Sequence, residues 1–568
     1  SLPYHEPGIV TILIISSFLL LLNCTNWLLD RLIFCGLIGQ IVIGIAWGAP
    51  GAKWLSASLQ DTIVQLGYLG LLCIVYEGGI SSNFRALKAN LFLSSTVALT
   101  GIIAPIGLSF VLMGLIPGAS AVQAFAAGAA LCSTSLGTTF TVLATSGLTG
   151  TRLGVVLTSA AMMDDVVGLV MVQIILSLGA GSSFSEVTVV RPILVSIAFA
   201  VLIPVLCLFV AKPLLLHARE LLARPERAGY RKVFCCQKAA CLYQTGLLLA
   251  MITGATYAGT SNLFAAYLAG ASVTWLCDRL EEEDMKKTRS DDAGRAREES
   301  AAASAVHHQA AHFPSDGGCS GKAIYDKFYM PAVDSLLRPF FFASIGFAIP
   351  ISRMFSGPVV WRGMVYTILM VVAKVICGAW LIRFGSIPGA KSLSNKLPST
   401  CSIPRKWYTT QSRCERATPP RTCSDTRPRP RPQSTVLQDA PISTSAAEAV
   451  TENAISPPTP LANTSRKRTA LPRPKSLYPS SILGMAMVSR GEIGFLISSV
   501  AESRGVFGTE GHSTTFLVVT WAILLCTLIG PIAVGLLVKR VKKLQKVERQ
   551  KAVSSGHKEE DPLGVWGV

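Results

Sequence analysis

Ser159–Gln173 reads SAAMMDDVVGLVMVQ, and its two adjacent aspartates, Asp164 and Asp165, sit in a run that is otherwise almost wholly apolar. A carboxylate in such a run is costly unless it is paired or used. Whether the run lies in lipid or in a soluble core depends on the rest of the chain. Its 568 residues are 50% hydrophobic and only 15% charged, and the mean hydropathy is +0.48. That is too little charge to cover a soluble surface of this size. The chain therefore reads as an all-α polytopic membrane protein.

Working outward from the aspartates, thirteen apolar runs qualify as candidate spans: 8–24, 32–48, 62–80, 91–116, 120–145, 153–180, 193–212, 239–258, 261–277, 330–350, 357–384, 479–503 and 514–538. Most are near the ~20 residues that cross hydrocarbon, and the longer ones can tilt. Of the 51 basic residues, the loops after even-numbered spans hold only Lys53, Arg191, Arg353 and Arg504, with Arg362 just inside the start of the following span 357–384. Most of the others lie in loops after odd-numbered spans and in the tail, which places the N-terminus outside and the C-terminus in the cytoplasm. The net charge of +18 is thus a membrane-facing charge and gives no sign of nucleic acid.

The organisation that follows is nine spans over 1–280, a polar cytoplasmic loop over 281–329, two spans over 330–384, a Pro/Ser/Arg-rich loop over 385–478, two spans over 479–538 and a basic tail over 539–568. Both loops lack apolar periodicity and read as disordered. The tail opens KRVKKLQK (539–546), suited to anionic lipid. His307, His308 and His312 fall in the first loop without a fourth ligand and read as solvated. The fifteen cysteines show no paired CxxC spacing and read as packed thiols. No metal or cofactor is expected, and no enzyme chemistry.

Few ionisable residues lie inside the spans. Asp164 is roughly 17 Å into its span, near the midplane. Lys374 (VVAKVICG) sits in the middle part of span eleven, Arg490 and Glu492 (SRGEIGF) midway along span twelve, and Glu77 (YEGGI) near the inner end of span three. Adjacent helical residues point about 100° apart, so Asp164 and Asp165 cannot both face one neighbour. One can pair with a cation while the other faces a cavity, and Lys374 is the only lysine at comparable depth. A cavity carboxylate takes either a proton or a small monovalent cation, which is all that exchange of the two requires. Two further stretches, CSTSLGTTFTV (Cys132–Val142) and MVSRGEIGFLI (Met487–Ile497), break apolar spans with Gly, Ser, Thr and charge. Broken helices expose backbone groups and half-helix dipoles beside an ion site, although small residues also serve close helix packing.

Taken together and in order, these segments resemble the monovalent cation:proton antiporter-2 family. TSLGTTFTVLATSG followed by TRLGVVLTSAAMMDDVVGL is similar to its crossing helix and Asp–Asp helix. SNLFAAYLAG, LLRPFFFASIGFAI, VVAKV and SRGEIGF are similar to its later segments. The resemblance covers roughly 8–384 and 479–540. It implies an inverted-repeat core of crossing broken helices, a dimerisation domain, a homodimer and elevator-like alternating access. Carried over by position, it makes Asp165 the main cation and proton carboxylate and Asp164 its neighbour, paired with Lys374. It puts Thr138 and Thr139 at the first helix break, and Arg490 and Glu492 near the second. An Asp–Asp pair, as opposed to Asn–Asp, resembles the electrogenic members. Glu77 departs from the family, where many relatives have a small or apolar residue, and the 385–478 insertion is unusually long.

The expectation is a secondary antiporter exchanging Na⁺ or K⁺ for H⁺. An intramembrane aspartyl protease needs its two aspartates on facing helices. A cation channel is the alternative, but a pore favours repeated polar stripes or a filter loop over isolated midplane charges. A receptor or scaffold leaves the Asp–Asp–Lys set without a role.

Overall fold

The computed structural model describes residues 6, 8–33, 35–82, 87–88, 90–135, 137, 143, 147–179, 186–223, 237–299, 320–382, 477–508, 513–555, 563 and 566. They belong to a unit formed by Ser1–Arg383 and Pro472–Val568. Regular structure among the described residues is helical throughout. The main helices are α1 (Ile9–Ile33), α2 (Leu37–Trp47), α3 (Ala57–Ile80), α4 (Leu91–Ser109), α5 (Ala121–Ala130), α6 (Arg152–Leu178), α7 (Glu186–Leu206), α8 (Gln237–Ala258) and α9 (Asn262–Glu299). They continue with α10 (Gly321–Phe328), α11 (Arg338–Phe347), α12 (Gly357–Val375), α13 (Tyr478–Val488), α14 (Glu492–Ser503) and α15 (Thr514–Ser555).

Among the described residues, nine helical stretches are long and apolar enough to cross a membrane, against the thirteen runs expected. The difference has local causes. The α2 helix has only 11 residues. The fifth run stops as a helix at Ala130. The tenth is divided by a π turn at Val333–Leu337. The ninth continues as one helix to Glu299, about 57 Å at about 1.5 Å per residue. The 281–329 segment, expected as a disordered loop, is therefore helical at its start and again in α10. Its EEEDMKK run (281–287) is made of good helix formers apart from Asp284, and Arg279 pairs with Glu282 one turn on at 2.8 Å.

Packing sorts the helices into two groups. In one, α3 lies against α9 and α11, α2 against α1 and α11, and α8 against α9. In the other, α4 packs on α5, α6 and α12, α14 on α5 and α6, and α15 on α12 and α13. The α7 helix touches α6 in the second group and α9 in the first. The outward faces of α1, α7 and α8 carry exposed apolar side chains such as Leu20, Leu194, Val201 and Leu249, as expected of surfaces that meet lipid.

Local signals start the helices that matter for the site. Ser120 and Gln123 form a reciprocal capping box at α5. The Gly154 N–H donates to the Thr151 hydroxyl at 3.2 Å, capping α6. Pro479 occupies the first turn of α13, where a missing N–H does no harm.

Candidate functional site

The second group is built around two interruptions. After α5 the backbone leaves the helix over Leu131–Ser135, and between α13 and α14 it leaves the helix over Ser489–Gly491. The two breaks meet: the Ser135 N–H donates to the Ser489 carbonyl at 2.9 Å. Gly491 permits the approach, because a Cβ there would lie 2.8 Å from the Ser135 Cβ.

A helix end leaves its last carbonyls without intrahelical partners and carries partial negative charge. Here two such ends, those of α5 and α13, are buried together. Cations answer them. The Lys374 ammonium, on the last turn of α12, donates to the Cys132 carbonyl at 2.6 Å. The Arg490 guanidinium donates to the Ser133 carbonyl at 2.7 Å and to the Met487 carbonyl at 3.5 Å. Both side chains are 0% exposed. The Arg490 carbonyl in turn accepts from the Thr527 hydroxyl of α15 at 3.1 Å.

Asp164 completes this cluster. Its carboxylate accepts from Lys374 at 2.7 Å and from the Thr134 hydroxyl at 2.9 Å, and it is fully buried. Lys374 also lies 3.0 Å from the Thr134 oxygen. Both bonds fall on Oδ2 of the carboxylate, and Oδ1 is buried without a hydrogen-bond partner among the described residues, so the lysine is what keeps this buried charge tolerable.

Asp165, one residue on, points elsewhere. It is partly exposed, and no hydrogen bond or ion pair joins it to another described residue. Glu492, on the first turn of α14 and also partly exposed, is near enough for its charge to act on Asp165. Two adjacent carboxylates thus have different surroundings: one is neutralised in a closed network, and the other is accessible beside a third acid.

The structure brings Asp164, Asp165, Lys374, Arg490 and Glu492 together. Glu77 is held by a different partner: its carboxylate pairs with Arg338 at 3.0 Å, and Arg338 also pairs with Asp334 at 2.6 Å. Thr138 and Thr139 lie outside the described residues. The threonine seen at the first break is Thr134, which sequence reasoning passed over, although it stands in the same CSTS run. Arg338 was also missed as a partner. Its position in the LLRPFFF run marked it only as part of a family segment.

The sequence profile of the transmembrane sodium/hydrogen exchangers matches residues 14–295. The chain belongs to the cation/proton antiporter superfamily. A high-affinity Na(+)/H(+) antiporter, NhaS3 of Synechocystis sp., is 31% identical over 143 residues, 25% of this chain and 31% of that relative. The Na(+)/H(+)-K(+) antiporter GerN of Bacillus cereus is 29% identical over 140 residues, 25% of this chain and 35% of that relative. The matches therefore span about a third of the length of these relatives. Among solved structures, the sodium proton antiporter MjNhaP1 from Methanocaldococcus jannaschii superposes with a TM-score of 0.52 at 12% identity, covering 94% of this chain and 99% of that one. That likeness is one of fold.

Proposed function

We propose that this chain is a secondary antiporter that exchanges a monovalent cation, Na⁺ or K⁺, for H⁺, with cation and proton competing for Asp165. The observation that carries the reading is the contrast within the aspartate pair. Asp164 already has a lysine and a threonine, whereas Asp165 is accessible and free of partners among the described residues. A carboxylate so placed gains from either a proton or a cation and has room for one at a time.

In this reading a cation arriving at Asp165 displaces its proton, and the site then opens to the other side of the membrane. There a proton replaces the cation. Lys374 holds Asp164 while the site is empty and releases it when the cation binds, so that Asp164 serves as a second acceptor. This supports net charge movement, with more protons than cations per cycle. The membership of the antiporter-2 branch, the homodimer, the outside N-terminus and the contact of the basic tail with anionic lipid are parts of the same proposal.

The experiment is cation-dependent proton flux in proteoliposomes, titrated with Na⁺ and K⁺ separately. Wild-type protein gives flux, and Asp165→Asn reduces it to the level of protein-free vesicles. Wild-type flux in Asp165→Asn overturns the mechanism.

A further inference from the structure

Ser94, Val97, Ala98, Gly101, Ile102 and Pro105 form the buried face of α4, with the spacing of one side of a helix. The α4 helix packs on α6, which carries the aspartates, and on α12, which carries Lys374. Two side-chain hydrogen bonds hold it there. The Ser95 hydroxyl donates to the sulfur of Met163, the neighbour of Asp164, at 3.8 Å. The Trp380 indole N–H donates to the Thr100 hydroxyl at 2.8 Å, and Trp380 stands on the 3₁₀ turn Ile376–Leu381 that continues α12 past Lys374.

Between these two attachments, Gly101 faces the ion pair itself. A Cβ there would lie 3.1 Å from the Lys374 Nζ, 3.2 Å from the Asp164 Oδ2 and 3.3 Å from the Met487 Cε, each inside the roughly 3.5–4.0 Å of comfortable contact. Other glycines of this body serve close helix packing: a Cβ at Gly44, Gly79 or Gly346 would meet backbone of the facing helix, the carbonyls of Ala343, Tyr267 and Ile41 respectively. At Gly101 the atoms met are the tips of side chains, and two of them are the charged groups. An ammonium has three N–H donors. Those of Lys374 have the Cys132 carbonyl, the Thr134 oxygen and the Asp164 carboxylate as acceptors, at 2.6, 3.0 and 2.7 Å. The bare α4 backbone at Gly101 closes another side of the same ammonium. Glycine weakens a helix interior, and alanine would strengthen α4 if nothing stood in its way. What stands in its way is the pair.

We propose that Gly101 is a positioning residue for exchange: the bare α4 backbone seats the Lys374 ammonium against Asp164 and so sets how readily Asp164 becomes available to a cation. This inference rests on the exchange reading above, in which Lys374 releases Asp164 when the cation binds. A methyl at this position pushes on the ammonium and on the Asp164 Oδ2 at once. It loosens the pair without removing either charge. Asp164 is then free more often, and the cation finds its second acceptor more easily.

The test uses the full-length protein with Gly101→Ala, Lys374→Met and the double variant. In proteoliposomes Gly101→Ala lowers the KM for the cation by about fivefold, as the fraction of opened pairs rises by the same factor, while the maximal rate changes little. Thermal unfolding in detergent needs no transport. There Gly101→Ala lowers the Tm of the otherwise wild-type chain but leaves that of Lys374→Met unchanged or raises it, because methionine ends one atom short of the ammonium and alanine is the better helix former. A glycine that served packing alone would give equal Tm losses in both backgrounds and no change in KM. Equal losses, or an unchanged or higher KM, overturn the proposal. If Gly101→Ala fails to fold, the double variant decides: folding there supports the role, and failure there as well overturns it. A wild-type protein without flux overturns the exchange reading, and the Tm comparison alone then decides whether Gly101 positions the pair.

Discussion

Lys374→Met removes three interactions at once: those to the Cys132 carbonyl at 2.6 Å, the Thr134 oxygen at 3.0 Å and the Asp164 carboxylate at 2.7 Å. It leaves Asp164 at 0% exposure with only Thr134 as a partner. Removing one member of a buried pair costs about 3–5 kcal/mol, because the remaining charge stays buried and uncompensated. Asp164→Asn is milder, since Lys374 keeps two oxygen acceptors, and is expected to cost about 2–3 kcal/mol. The double variant carries neither charge. It should therefore lose less than the sum of the single variants, by about 2–3 kcal/mol. The assay is thermal unfolding of the four purified proteins in one detergent, where Lys374→Met should lower Tm by about 3–5 °C for a chain of this length. A double variant whose loss equals the sum of the two single losses to within about 0.5 kcal/mol would refute the coupling. The result does not depend on whether the protein transports anything.

Thr134→Val removes the hydroxyl that bridges Lys374 and Asp164. It is expected to cost about 1–2 kcal/mol, with most of the loss restored by Thr134→Ser in the same unfolding assay. Competition at Asp165 also sets a pH dependence. Protons occupy the carboxylate as pH falls, so the KM for the cation rises toward about tenfold per pH unit by mass action. The maximal rate at saturating cation changes little. Flux titrations at several pH values measure this, and a KM that does not move with pH removes the competition.

The site was legible where chemistry narrowed the choice. Lys374 is the only lysine in the middle of an apolar run, so its pairing with one of two deep aspartates needed no coordinates. The breaks were legible because Gly, Ser and Thr interrupt otherwise apolar runs at two places. What sequence could not supply was the register within a break. CSTSLGTTFTV contains four threonines, and which of them faces Lys374 depends on where the helix stops, at Ala130. Glu77 and Arg338 are far apart in sequence and meet through the packing of α3 on the π turn before α11, a contact with no periodic signature. The continuation of α9 to Glu299 was hidden by its polarity, since the sequence after Cys277 carries no apolar periodicity to read.

Both deep cations hold the crossing through main-chain oxygens: Lys374 through Cys132, and Arg490 through Ser133 and Met487. A carbonyl is the same whatever side chain it carries. Cys132, Ser133 and Met487 are thus recognised as backbone and constrained only by volume, whereas Lys374 and Arg490 are constrained by reach and charge. Mutational tolerance around the site should be correspondingly uneven. The break can exchange side chains to reshape the space near Asp165 while the charged struts stay fixed, so the surroundings of the carboxylate can diverge without dismantling the crossing.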